Sequence, residues 1–309
     1  MTTIQPTAPR DTTDMRELGG TGLAREIRAR AASGAAELAE SGTTPGLAVV
    51  VATDDESSAW YVRSIARAAG KAGIDCRTVD LGAGAEPERI RATLERLSAD
   101  ESVHGIILQT PLPTGARFED LASAIDPRKD VDGANPVSLG NLAAGLPAHP
   151  PVTAAAVLTL LDHHEIELAG RNCVVVGRSN VVGKPVAQLM LQRDATVTIC
   201  HRYTPDLTAF TPDADVLVVA VGKPGLITDK HVREDAIVVD VGTTPTADGG
   251  LLGDVDPSVR VAGLTPVPGG VGPVTTALLL EHTVQSAIRA AREARHRAGS
   301  PPRTGSEQR

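Results

Sequence analysis

Aromatic residues are scarce in this chain: one Trp, two Tyr and two Phe among 309 residues. With so few rings, the abundant Ala, Val and Leu must fill the interior, which suits an α/β core of branched aliphatics. Cysteine is nearly as rare. Cys76, Cys173 and Cys200 are an odd set, widely spaced inside apolar runs. They have no metal-ligand spacing and read as small core residues of a reducing, cytoplasmic protein, with no metal expected. No run of about 18 apolar residues occurs, which excludes a helical membrane span. The opening M-T-T-I-Q-P-T-A-P-R-D-T-T-D lacks an apolar signal core, so residues 1–15 read as a disordered lead-in. Positive charge is the minority sign. A net charge of −8 with no long Lys/Arg stripe argues against a nucleic-acid partner.

What the chain has is length and rhythm. Its 309 residues exceed one ordinary core and suit two domains of about 100–150 residues each. In the first block, G-L-A-V-V-V-A (46–52), D-C-R-T-V-D-L (75–81) and V-H-G-I-I-L-Q (103–109) are strand candidates. An Ala/Arg-rich helix over 57–72 and another near 86–98 separate them, predicting a parallel sheet covered on both faces. Segment 110–151 is rich in Pro, Gly and Asp with little periodicity, and so long a stretch is more often functional than decorative. In the second block N-C-V-V-V-G (172–177), A-T-V-T-I-C-H (195–201), V-L-V-V-A-V-G (216–222) and A-I-V-V-D-V-G (236–242) begin about twenty residues apart, as successive βα units of a doubly wound sheet do. T-P-V-P-G-G-V-G-P-V-T (265–275) follows, then a helical stretch to about 297 and a Pro/Gly/Ser tail over 298–309 that reads as disordered.

The stretch V-V-V-G-R-S-N-V-V-G-K-P-V-A puts Gly177 at a strand end and Gly183 just before a helix with Pro185 in its first turn. Glycine admits a close ligand, and a helix N-terminus offers free N–H groups to a phosphate. The spacing differs from G-x-G-x-x-G, so a tight turn without a ligand is the competing reading. Where an NAD-type unit carries a carboxylate for the ribose 2′-hydroxyl, this chain has Cys200-His201-Arg202, and Arg178 stands in the glycine loop. Two cations near that position favour a 2′-phosphate, hence NADP, unless Arg202 is only a solvated loop residue.

G-R-S-N-V-V-G-K-P, T-V-T-I-C-H-R-Y-T, G-D-V-D and T-P-V-P-G-G-V-G-P, with S-A-W-Y-V, G-I-I-L-Q-T-P-L-P and K-D-V-D-G upstream, resemble one family from about Gly46 to Val284. It is the bifunctional methylenetetrahydrofolate dehydrogenase/methenyltetrahydrofolate cyclohydrolases. The resemblance implies two α/β domains with a cleft between them. A folate-binding domain over 16–150 would be completed by a C-terminal helix over 275–297, and a Rossmann-like NADP-binding domain would span 151–274. It further implies a homodimer through the second domain, and a phosphate loop of Gly177, Arg178 and Ser179 with Arg202 near the 2′-phosphate. Thr243, at a position usually Ile, would meet the nicotinamide end. Tyr61, Gln109 and Asp132 would form the substrate end, with Pro268, Gly269 and Gly270 as its wall. For a pterin, Asp132 can accept from the amino-pyrimidine edge and Tyr61 can stack on the ring. Gln109 closes a strand where an open α/β sheet faces its crevice. A turn role for Asp132 and mere solvation for Gln109 are the bland alternatives.

One expected residue is missing. Members with both activities carry Y-V-x-x-K; here the stretch is Tyr61-Val62-Arg63-Ser64-Ile65. Positions i and i+4 share a helix face, so hydrocarbon replaces an ammonium beside the reacting carbon. Oxidising 5,10-methylenetetrahydrofolate to the methenyl form in one-carbon metabolism needs alignment with NADP⁺ and no general base. Hydrolysis to 10-formyltetrahydrofolate needs a proton carrier. The expectation is therefore a dehydrogenase whose cyclohydrolase activity is lost or heavily reduced. A fully bifunctional enzyme, a non-catalytic NADP- or folate-binding protein and an oxidoreductase of a non-folate substrate are the alternatives. Ala134-Asn135 stand where an aromatic and His are typical, and Pro151-Val152-Thr153-Ala154-Ala155-Ala156 replaces P-C-T-P-x-G. His163-His164 read as a solvated pair, His201 as a packed strand-end residue, and Asp254 and Asp256 as turn organisers.

Overall fold

The computed structural model describes residues 15–246 and 248–299. Contacts divide the chain into two compact units: Arg25–Val152 with Thr276 onward, here the first unit, and the residues through Ala24 with Thr153–Thr275, the second. A short strand β1 (Arg16–Glu17) precedes helix α1 (Thr21–Glu40).

In the first unit β2 (Gly46–Val51), β3 (Asp75–Asp80) and β4 (Gly105–Leu108) form a parallel sheet in the order β3-β2-β4, with α2 (Glu56–Lys71) and α3 (Pro87–Ala99) as crossovers. Every residue of the central β2 is buried, as its unbroken apolar run requires of a strand covered on both faces. Helix α3 lays Ile90 and Leu94 on Ala48, Val50 and Ile106, and each full burial of a large aliphatic is worth about 1.5–3 kcal/mol. Because the chain steps from β2 to one neighbour and then to the other, the crevice beyond the strand ends lies between β2 and β4. That is where open α/β sheets bind ligands.

The segment over 110–151 is less formless than its composition suggests, holding helices α4 (Phe118–Ala122) and α5 (Pro136–Ala143). Asn135 caps α5. Its Oδ1 accepts from the Val137 amide at 2.7 Å, and its Nδ2 donates to the Ala122 and Ile125 carbonyls at 3.2 and 2.7 Å.

In the second unit α6 (Val152–His163) leads to β5 (Asn172–Val176), α7 (Gly183–Leu191), β6 (Thr196–Cys200), β7 (Val216–Val219) and β8 (Ile237–Asp240). A hairpin of β9 (Thr244–Pro245) and β10 (Leu251–Leu252) precedes β11 (Gly263–Leu264), and α8 (Val271–Gly299) ends the described chain. The parallel sheet runs β1-β11-β8-β7-β5-β6, so the strand order reverses between β5 and β7. This is the doubly wound, Rossmann-like pattern that the spacing of the apolar runs predicts.

Strands β1 and β11 at one edge escape prediction because they are two residues long. Arg16 pairs with Gly263, so the segment expected with the first domain joins the second sheet instead. His164 helps to hold it there, bonding the Gly19 carbonyl at 3.0 Å, and is thus an anchor rather than one of a solvated pair. Helix α8 extends through Gly299, two residues past its expected end, while the rest of the expected disorder before Met15 and after Gly299 lies outside the described residues. Among the described residues no helix is long and apolar enough to cross a membrane.

Candidate active site

An open depression of about 490 Å³ lies at the β2/β4 crevice, lined by Asp55, Ser57, Ser58, Tyr61, Gln109, Thr110 and Pro111. Local rules put each group there. Asp55 caps α2, its carboxylate accepting from the Ser58 amide at 2.7 Å. Ser58 donates its hydroxyl to the Thr110 carbonyl at 2.9 Å, tying the helix start to the loop after β4. The Gln109 amide donates to the Val50 carbonyl at 2.9 Å, continuing the ladder, and its side-chain Nε2 donates to the Thr110 carbonyl at 2.9 Å. Tyr61 sits one turn into α2, half-buried. Burial, then the Asp132 charge, push its phenol up to about 12 against a hydrogen bond with Thr276, so Tyr61 is neutral at any physiological pH.

Ile65 behaves differently from a group in the crevice. With Ser58, Val62 and Ala69 it forms the buried stripe of α2, and it is 0 % exposed. Hydrocarbon at this position seals the core beneath Tyr61.

Asp132 is the electrostatic outlier. Burial, reinforced by the neighbouring Asp130 charge, pushes its carboxyl up to about 7, although the residue keeps some contact with solvent. Asp130 spends its carboxylate on the Ala134 and Asn135 amides at 3.0 and 2.8 Å. The Asp132 carboxylate has no hydrogen bond to another described residue, which is a demand for donors that a ligand can meet. The strap carrying it is fastened from behind. His282 bonds the Val131 carbonyl through Nδ1 at 2.9 Å and stacks on His149 at 4.4 Å, and His149 meets Ser286 and Arg289, each at 3.1 Å. Sequence reasoning missed this pair, since histidines 133 positions apart give no local signal.

Burial, with help from His282 and Arg289, drives His149 down to about 3, and burial lowers His282 as well. The folded chain thus binds fewer protons here than the unfolded one, and the His149 contribution to stability drains away as pH falls below about 6.5. Comparing His149→Phe with wild type by urea unfolding at several pH values, we expect the stability difference to change by up to about 1.4 kcal/mol per pH unit below 6.5. Parallel pH profiles would show that folding leaves the His149 titration unchanged.

In the second unit Gly177 closes β5 at the switch point with φ +136°, and a Cβ there would stand 2.5 Å from the Ala220 carbonyl oxygen. A Cβ on Gly183 would stand 2.1 Å from the Gly177 carbonyl oxygen. Only glycine lets strand, loop and helix approach this closely. Gly177→Ala is expected to cost about 2–3 kcal/mol in denaturant unfolding; wild-type stability would mean that the loop relaxes. Ser179 turns its hydroxyl inward, accepting from the Val182 and Gly183 amides at 3.1 and 3.4 Å, so it braces the loop itself. Arg178 and Arg202 are both exposed and approach the same Tyr203 ring.

Two carboxylates brace the neighbouring strand ends. Asp240 accepts from the Gly242, Asp254 and Val255 amides at 2.8–2.9 Å, and Asp254 accepts from the Val221, Gly222 and Lys223 amides at 2.6–3.0 Å. Asp254 thus does organise backbone, and Thr243 is exposed just beyond the Gly242 that Asp240 holds. The Asp ending the apolar run I-V-V-D was the available clue to Asp240. Pro268, Gly269 and Gly270 form the turn that opens α8, where the Gly269 carbonyl accepts from the Gly20 amide at 2.8 Å. The structure therefore gathers Tyr61, Gln109 and Asp132 in the first unit, and Gly177, Arg178, Ser179 and Arg202 in the second. Among the described residues no group of three or more His, Cys, Asp or Glu could hold a metal ion.

Comparison with known proteins bears on both units. A family model described as tetrahydrofolate dehydrogenase/cyclohydrolase, catalytic domain, matches residues 18–132. One described as tetrahydrofolate dehydrogenase/cyclohydrolase, NAD(P)-binding domain, matches residues 151–291. The chain is 72 % identical over 292 residues to a Saccharopolyspora erythraea relative named bifunctional protein FolD 1, covering 94 % of this chain and 99 % of that one. A Rhodococcus jostii protein of the same name is 64 % identical, over 88 % and 93 %. Among solved structures, the FolD methylenetetrahydrofolate dehydrogenase/cyclohydrolase of Campylobacter jejuni matches with a TM-score of 0.87 at 38 % identity, over 89 % and 99 % of the two chains. The Trypanosoma brucei FolD, solved with NADP cofactor and inhibitor, matches with a TM-score of 0.85 at 36 % identity, over 90 % and 99 %. This chain belongs to the tetrahydrofolate dehydrogenase/cyclohydrolase family.

Proposed function

We propose that this protein is an NADP-dependent methylenetetrahydrofolate dehydrogenase that also hydrolyses its methenyl product, hydrolysis being the weaker activity. The observation that carries the reading is the Asp132 carboxylate, poised near 7 and short of donors beside a neutral Tyr61. An amino-pyrimidine edge presents two parallel N–H donors to such a carboxylate and a flat ring to the phenol. Gln109 supplies an amide at the depression that Tyr61 also lines.

The donor chemistry of the second unit fits a phosphorylated dinucleotide. Gly177 opens the crevice at the switch point, α7 presents its N-terminus, and Arg178 with Arg202 supplies two guanidinium groups for a 2′-phosphate. When bound, NADP⁺ supplies the acceptor for the hydride. The methylene C–H bond breaks with both electrons leaving on hydrogen, and the carbon left behind is a cationic methenyl centre. Tyr61 and Asp132 grip the ring that carries this carbon, and Ile65 offers no charge to oppose the forming cation.

Hydrolysis forms a C–O bond from water, releases a proton and then breaks one C–N bond. Tyr61 is held neutral and Ile65 is hydrocarbon, so neither takes that proton. The relatives are nevertheless named bifunctional, which supports both activities and weighs against the loss expected from the missing Lys. A second reading, dehydrogenase alone, rests on Ile65. The exposed edge strand β6 also suits the expected homodimer, for which sedimentation of the full chain is the test. NADPH formation on mixing with methylenetetrahydrofolate, followed by methenyl decay above the spontaneous rate, is the expected result. No NADPH would refute the dehydrogenase, and spontaneous decay alone would leave only the second reading.

A further inference from the structure

We propose that Tyr203 is a positioning residue that makes the nucleotide site select a 2′-phosphate, by holding Arg178 and Arg202 on one aromatic platform. The inference rests on the NADP reading above and deepens it. It begins with register. Strands β5 and β6 pair in parallel with Val176 opposite Cys200, and each chain carries an arginine two residues further on. Two guanidinium groups near one ring repel each other, and no carboxylate is paired with either among the described residues.

Tyr203 is what stands with them. The Arg202 guanidinium carbon lies 4.6 Å from the ring centroid and that of Arg178 lies 5.4 Å away. Arg202 Nη2 also donates to the phenol oxygen at 2.5 Å. The negative face of the ring attracts both cations, which offsets their repulsion and limits the rotamers each can adopt. His201 meets the ring edge-on at 6.2 Å, and its Nδ1 accepts from the Tyr203 amide at 3.2 Å, so the platform is itself braced. Two guanidinium groups held together suit a phosphate monoester dianion and have nothing comparable to grip on a ribose hydroxyl.

The ring is 63 % exposed, so its removal opens no core cavity. Calorimetry of the full chain with 2′,5′-ADP and with 5′-AMP, at one ionic strength, separates phosphate selection from adenosine binding. We expect wild type to prefer 2′,5′-ADP. Tyr203→Leu should lose about 5–20-fold of that preference with 5′-AMP affinity unchanged. Tyr203→Phe, which keeps the ring and loses only the hydroxyl, should recover most of it. Equal loss for both ligands would assign the ring to adenine stacking and overturn the proposal, as would a Leu variant that still discriminates like wild type; either leaves the NADP reading standing. A wild-type protein with no preference for 2′,5′-ADP would overturn both.

Discussion

Asp132→Asn is expected to make the ligand-free protein more stable at pH 8 while nearly abolishing turnover of methylenetetrahydrofolate. Burial and Asp130 hold the folded carboxyl at about 7, against about 4 in an unfolded chain. Between those values the folded protein binds more protons than the unfolded one, so this group's contribution becomes more unfavourable as pH rises from about 4 to about 7 and stays so above. The full shift would be worth about 4 kcal/mol; contact of Asp132 with solvent reduces the expected gain on substitution to about 1–2 kcal/mol. Asn keeps the shape, loses the charge and presents a donor where, in the proposed function, the pterin also donates. The loss of charge-assisted bonds, about 2–3 kcal/mol, corresponds to a roughly 30–150-fold fall in kcat/KM. In wild type kcat/KM should itself fall tenfold per pH unit below about 7, as protonation removes the acceptor. A variant no more stable than wild type at pH 8, with kcat/KM intact, would remove Asp132 from the site.

Ile65→Lys should raise methenyl hydrolysis about 100-fold, the lower range of what a positioned acid/base supplies, and leave NADPH formation within a few-fold. The gain comes at a structural cost. Ile65 is fully buried in the α2 stripe, so a lysine there must run its stem along apolar surface to bring its ammonium up beside Tyr61. We expect about 1–3 kcal/mol of destabilisation, in line with burying a poorly partnered polar group. Ile65→Met is the control: similar reach, no charge, and no gain in hydrolysis. If wild type already hydrolyses as fast as the Lys variant, proton handling at this position is irrelevant to the reaction. The two predictions are independent readouts, because in the proposed function Asp132 acts on both activities through binding whereas position 65 acts only on the second step.

The parts of this molecule that could be read along the chain are those in which neighbours in sequence decide the structure. The run N-C-V-V-V-G is strand β5 because a β-branched apolar segment bounded by glycine has few other uses, and Gly177 and Gly183 announced a tight crevice. The segment over 110–151 resisted because α4 and α5 have five and eight residues, too short to display a period, and Asn135, which caps α5, is held by carbonyls ten and thirteen positions away. Asp240, His149 and His282 stayed hidden for the same reason: their partners are remote in sequence, and only folding makes them neighbours.

By itself the sequence determined two α/β units, a parallel doubly wound sheet, a crevice for a phosphorylated nucleotide and a tyrosine without its lysine. Periodicity, turn chemistry and the i, i+4 relation act within a few residues, so a single chain pass contains them. Only the tertiary structure decided that Asp132 is partly buried and short of donors, that Ile65 belongs to the core rather than to the crevice, and that two arginines following adjacent strands share one ring. Burial and electrostatic environment are properties of what surrounds a group, and the surroundings of these side chains are assembled from segments tens to more than a hundred residues apart.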